Sequence, residues 1–79
     1  MRSEPEIYQE ISEVLERRRV DLKMSKRQLA KLTDITPVYL REVLRGDRKP
    51  SVVILISLCS ALNLKMSDIF LKLERQNKI

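Results

Sequence analysis

Apolar residues recur along this chain at intervals of three and four, in five short runs divided by polar breaks. The first run is Ile7, Ile11, Val14, Leu15 and Leu22. It predicts a helix of about fifteen residues starting at Glu6, with residues 1–5 frayed. Glutamates crowd its start and Arg17, Arg18 and Arg19 its end, which complements the helix dipole at both poles; Lys23 marks the exit. A second helix is predicted over residues 26–32, with Leu29, Ala30 and Leu32 on one face. Ser25 caps it, and Gln28 three residues on completes a capping-box spacing. A third is predicted over residues 37–44, burying Leu40, Val43 and Leu44. Thr36 is its N-cap, Pro37 occupies the first helical position where no N–H is needed, and Gly46 is its stop. Ser51 caps a fourth helix over residues 52–62, ended by Asn63. A fifth starts near Met66 or Ser67, runs through Ile69, Phe70, Leu71 and Leu73, and gives way to a polar tail at residues 75–79. The β-branched run Val52-Val53-Ile54 is capped and free of turn residues, so it reads as helix. With no period-two alternation, repeat or low-complexity segment, the 79 residues are expected to form a single all-α domain, a compact five-helix bundle.

Only Thr33, Asp34 and Ile35 separate the second and third helices, with Ile35 expected to turn into the core. Two helices across so short a turn form the helix-turn-helix pattern. Charge sharpens this picture. Five of the eleven acids (Glu4, Glu6, Glu10, Glu13, Glu16) lie in the first sixteen residues. Residues 17–50 carry eleven Lys/Arg against four acids, a local charge of +7 within a net +5. Such a concentration of positive charge suits a polyanion-binding face, the plain alternative being a solvated surface. Cys59 is the sole cysteine and histidine is absent, so neither an intramolecular disulfide nor a Cys/His metal site can form. No paired-carboxylate or glycine-rich phosphate motif stands out, and neither an enzyme nor a cofactor is expected. The acidic first residues lack the basic-then-apolar order of a signal peptide, so the expected setting is the cytoplasm, at the nucleoid.

Several segments then fall into a familiar order: Ser25-Lys26-Arg27-Gln28-Leu29-Ala30, Thr36-Pro37-Val38-Tyr39-Leu40, Gly46, Pro50-Ser51, and residues 61–70, ALNLKMSDIF. In that order and spacing the chain resembles the phage repressor and Cro type of helix-turn-helix regulators, the Xre family, over residues 11–70. The resemblance implies a lambda-repressor-like DNA-binding fold, a third helix in the major groove, and a dimer on a near-palindromic double-stranded operator. It puts Thr36, Pro37, Val38 and Glu42 where the family reads bases, with Tyr39 and Arg41 nearby. Residue chemistry agrees. Val38 and the Thr36 methyl suit a thymine methyl, Glu42 can accept from cytosine N4, and Arg41 can pair with guanine or a phosphate. The plain structural reading is that Pro37 and Val38 only start and fill the helix. Backbone contacts are expected from Ser25 and Lys26 at the second helix's N-terminus, with Arg19, Arg27, Arg45, Arg48 and Lys49 flanking the groove. Three departures stand out. Asp34 replaces the turn glycine, which aspartate tolerates. Leu44 stands where the family often has a glutamate paired with a first-helix arginine, so Arg19 is expected to be freer for DNA. The base-reading face is also less polar than usual.

The fourth helix region, residues 51–64, contains no charge. Val52, Leu55, Leu58, Cys59 and Leu62 explain themselves as core, Cys59 as a small buried hydrophobe. Val53, Ile54, Ile56, Ser57 and Ser60 then fall on outward faces. With Phe70 and Leu73, the residues Val53, Ile56, Ser57 and Ser60 are candidates for a homodimer interface. A membrane-lying role fits poorly, because the apolar run is too short to span and lacks a basic polar face. The expected function is a small dimeric, sequence-specific DNA-binding transcriptional regulator of bacterial or phage type, with no small-molecule ligand. The alternative is a protein-interaction module on the same fold, such as an antitoxin-like or anti-repressor partner.

Overall fold

Ser3, Ser25, Thr36 and Ser51 each start a helix in the same way: extended backbone, and a side-chain hydroxyl that accepts from the N–H three residues on. The resulting helices are α1 (Glu4–Asp21), α2 (Lys26–Thr33), α3 (Pro37–Arg45) and α4 (Val52–Ala61), followed by α5 (Met66–Asn77). Before α5, the Asp68 carboxylate accepts from the Lys65 N–H at 3.2 Å. The structure is a computed structural model that describes residues 3–77, with side chains through residue 75. The frayed segment expected at residues 1–5 is corrected for residues 3–5. Ser3 and Glu6 form a reciprocal capping box there and Pro5 fits the first turn. Met1 and Arg2 lie outside the described residues. At the other end α5 continues through residues 75–77 of the expected tail, because polar helix-formers sustain a helix that has no apolar stripe left to betray it. Residues 78–79 lie outside the described residues.

The first four helices also end alike. Lys23, Asp34, Gly46 and Asn63 adopt left-handed backbone, with φ of 56, 55, 82 and 55°. The next residue returns its N–H to a carbonyl five positions back: Met24 to Arg19, Ile35 to Ala30, Asp47 to Glu42 and Leu64 to Cys59, at 2.8–3.1 Å. Met24, Ile35 and Leu64 then pack against the core, so each of these stops also steers the chain inward. Glycine is used at just one of the four for a packing reason. A Cβ at residue 46 would collide with the Gln9 side-chain oxygen and lie 3.0 Å from Gln9 Cδ and 3.1 Å from Ser12 Oγ. Asp34 is exposed and meets no such obstacle.

Helix α1 lies against α3 and α5, while α2 lies against α3 and α4. Leu15, Leu29, Leu40, Leu58, Leu62 and Ile69 are wholly excluded from solvent, drawing on all five helices or their caps. Burial of each such side chain contributes about 1.5–3 kcal/mol. Arg18 adds a polar tie, donating from Nε to the Leu62 carbonyl at 3.0 Å and so joining α1 to the end of α4. Some core assignments are corrected. Leu32 is 65% exposed, because it lies about 160° round the helix from Ala30. Val52, at the first position of α4, is 68% exposed, and Leu22 is also outside the core. Ile54, expected to face outward, packs partly on the core. An uncharged helix, polar only at Ser57 and Ser60, gives little sign from which to choose its orientation.

Gly46→Ala should destabilise the protein by about 1–3 kcal/mol, combining left-handed strain with displacement of Gln9. Asp34→Gly should shift stability by less than about 1 kcal/mol, both read from urea midpoints. Cys59 is 2% exposed, with Sγ donating to Met66 Sδ at 3.5 Å. Burial, and then the charge of Asp68, raise its pKa above the ordinary 9.0. The native thiol should therefore resist disulfide reagents at neutral pH and react on denaturation. Since the folded pKa lies above the unfolded one, the thiol's contribution to stability is intact below 9.0 and falls as pH rises through it, which urea titrations in that range will show.

Candidate nucleic-acid interface

Burying Leu40, Val43 and Leu44 leaves α3 with an outer face of Val38, Arg41 and Arg45, with Glu42 half-exposed beside them. At the start of that face Thr36 and Pro37 are exposed. The Thr36 oxygen accepts from the Tyr39 N–H at 3.1 Å, which leaves the hydroxyl proton and the methyl available. Tyr39 differs from the other five base-reading candidates in packing on the core, so it serves as a wall to the face.

The backbone candidates divide by what already holds them. Ser25 and Gln28 form the expected capping box, at 3.0 and 2.9 Å. That arrangement satisfies two N–H groups and leaves those of Lys26 and Arg27 outside the intrahelical ladder, beneath two exposed cationic side chains. Arg41 and Arg45 are likewise exposed and form no ion pair among the described residues. Arg19 requires a correction. It is not freed by the absence of a glutamate at residue 44, because Glu16 one turn back on α1 takes that partner's place. Arg19 Nε donates to Glu16 at 3.0 Å and Nη1 to the Met24 carbonyl at 2.7 Å, and its side chain is 15% exposed. Lys49 turns back to α1, where its ammonium pairs with Glu4 and lies 5.9 Å from the Tyr8 ring. The hydrogen bond to Glu4, and then its charge, raise the Lys49 pKa above 10.5, so it stays cationic. Arg48 reaches Glu42 at 3.4 Å and lies over the Tyr39 ring, 5.0 Å from its centroid.

Away from this face the surface changes character. An open hollow of about 380 Å³ between α1 and α3 is lined by Glu13, Glu16, Arg17, Val20, Asp21 and Leu44. On α4, Val53 is 73% exposed, and Ile56 and Ser60 are also exposed with Ser57 half-buried. Spacings of three and four put these residues on one side of the helix. Phe70 on α5 is exposed as well. Leu73 is partly buried on the core, and Val52 and Leu71 are further exposed apolar residues of α4 and α5. An apolar position gives no sign from sequence alone of whether a neighbouring helix will cover it. Among the described residues no single helix is long and apolar enough to cross a membrane, and the α4–α5 pair, which together would be, is bent by 104°.

Comparison with known proteins bears on this arrangement. A family model described as Helix-turn-helix (HTH_3) matches residues 9–69. Among curated proteins none matches the chain significantly. Among solved structures, the clp gene regulator ClgR from Corynebacterium glutamicum aligns with a TM-score of 0.78 at 29% identity, over 82% of this chain and 69% of that one. The restriction-modification controller protein C.AhdI from Aeromonas hydrophila aligns with a TM-score of 0.74 at 26% identity, over 78% and 94%. A point mutant of the controller protein C.Esp1396I shares the fold, with a TM-score of 0.79 at 18% identity over 96% and 94%. Capped α2 and α3, the short turn between them and the match over residues 9–69 agree: the chain belongs to the Cro/C1-type (Xre-like) helix-turn-helix family of non-enzymatic, DNA-binding transcription regulators.

Proposed function

We propose that this protein binds a near-palindromic double-stranded operator as a homodimer, with α3 of each protomer in a major groove, and so controls transcription in the cytoplasm. The observation that carries this reading is the outer side of α2 and α3, where Lys26, Arg27, Arg41 and Arg45 are exposed cations around Val38 and Thr36. The free N–H groups at the start of α2 suit a phosphate, which would set the register of α3. Arg41, Glu42 and Val38 then face base edges, with Thr36 and Pro37 at the groove floor by shape and methyl contact. Two α3 helices must stand about 34 Å apart to enter successive major grooves on one side of the duplex. The pairing surface we propose is the outer side of α4 with Phe70 of α5, where Val53, Ile56 and Phe70 supply apolar area and Ser57 and Ser60 allow close approach. Gene control also accords with the names of the neighbours, a clp gene regulator and a restriction-modification controller. Binding needs no cofactor, and control by concentration or a protein partner is simpler here than by a small molecule.

Fluorescence anisotropy across a salt series tests the DNA reading. Log affinity should fall linearly with log salt, and Lys26→Ala should reduce the slope by about 0.9 per protomer. A slope near zero, or equal affinity for operator-like and random DNA at every salt concentration, rules it out. In the former case the exposed apolar residues Val38 and Val53 would favour a protein-interaction module. Analytical ultracentrifugation tests the pairing surface: Val53→Glu/Ile56→Glu should sediment as a monomer with its helical circular dichroism unchanged. An unaltered oligomeric state would move the interface elsewhere.

A further inference from the structure

Glu42 is an awkward residue to aim at DNA. A carboxylate on the outer side of α3 faces the phosphates' negative charge and, unaided, would weaken binding to every sequence. Its surroundings supply the countercharge. Arg48 Nη2 lies 3.4 Å from Glu42 Oε1 and 3.5 Å from Oε2, so one guanidinium nitrogen stands at a similar distance from both carboxylate oxygens. The same guanidinium lies over the Tyr39 ring at 5.0 Å, and that ring is fixed by its packing on the core. Backbone geometry makes this possible. Gly46 reverses the chain and the Asp47 N–H returns to the Glu42 carbonyl at 2.9 Å, so the loop carrying Arg48 is fastened to the backbone of the residue it faces. Tyr39 and Glu42 are three apart on α3 and so stand on adjacent turns of one face.

We propose that Arg48 is a positioning residue for base reading: stacked on Tyr39, it neutralises and orients the Glu42 carboxylate to accept from the N4 amino group of a cytosine. This rests on the reading that α3 enters the major groove. An ionised carboxylate only accepts hydrogen bonds, and its two oxygens offer about four lone-pair sites, enough for Arg48 and an amino group together. Of the amino groups exposed in the major groove, that of adenine sits beside the N7 acceptor, which repels a carboxylate; that of cytosine has no such neighbour within its own base. Arg48 is thus assigned to specificity at one base pair in each half-site, and not to a phosphate.

Selection of bound duplexes from random DNA, run with the wild type and variants, tests this. The wild type should enrich one cytosine per half-site by about tenfold over other bases, and Glu42→Gln should abolish that preference. Arg48→Ala should flatten the same position while leaving the others intact. Arg48→Lys keeps the charge but loses the flat guanidinium that lies over the Tyr39 ring, and should fail to restore it. Adding Arg48→Ala to Glu42→Gln should change nothing further at that pair. If Arg48→Ala weakens binding evenly across all sequences and Arg48→Lys restores it, Arg48 is a phosphate contact and the proposal is wrong. If the wild type enriches no sequence at all, it is the major-groove reading itself that fails, and this proposal with it. Circular dichroism of each variant, all at exposed or half-exposed positions, confirms that a flattened position reflects recognition and not unfolding.

Discussion

Helices of eight and nine residues do not persist alone in water, and α2 and α3 are of that length. Their order depends on the core that α1 and α4 provide and on the caps at each end. Leu29 and Leu40 have no solvent exposure, so the inner sides of the two helices are held as firmly as any in the protein. Caps then finish what burial begins. Ser25 and Thr36 accept from the N–H groups of Gln28 and Tyr39, three residues on, and Asp34 and Gly46 turn the chain into the left-handed region at the ends. The outer sides are left with no structural duty, which is why they are open to chemistry.

The charges follow a similar division. Exposed ion pairs contribute little to stability, so their placement says more about what a surface offers than about why the chain folds. Arg19 is held by Glu16 and a backbone carbonyl, and Lys49 is drawn to Glu4 at the start of α1. Lys26, Arg27, Arg41 and Arg45 form no such pairs among the described residues. Cations that are already paired inside the protein must exchange a partner to meet a phosphate, whereas these four need only shed counterions. Arg48 stands between the two groups, bound to a residue that itself lies on the outer side of α3.

Much of this was legible in the sequence because it is local. N-caps, the capping box at Ser25 and Gln28, and the glycine at residue 46 act within four residues of where they stand, and the structure has them as the pattern predicts. The cap at Ser3 was misread, and at Lys23 the exit was legible but its left-handed form was not. Ser3 lies before the apolar period begins, and the left-handed stop at Lys23 is made by a residue with no special propensity for it. The site was legible to the extent that helical spacing separates an inner from an outer face: Leu40, Val43 and Leu44 inside, Val38, Arg41 and Arg45 outside.

The local signals of the chain alone determined an all-α fold, the five helices, the turn between α2 and α3, and which side of α3 could face DNA. Tertiary structure decided what distance along the chain conceals. Which side of the uncharged α4 turns inward, leaving Val52 outside and Ile54 against the core, depends on the helices it meets. The local turn at residue 46 favours glycine by its φ of 82°, but the crowding there by Gln9 and Ser12 comes from more than thirty residues away. Arg19 kept a carboxylate partner from its own helix, and Arg48 found Glu42 and Tyr39 across a reversed loop. A long side chain can reach several partners, and periodicity records only the side of a helix from which it leaves. Which partner it finds is settled by packing.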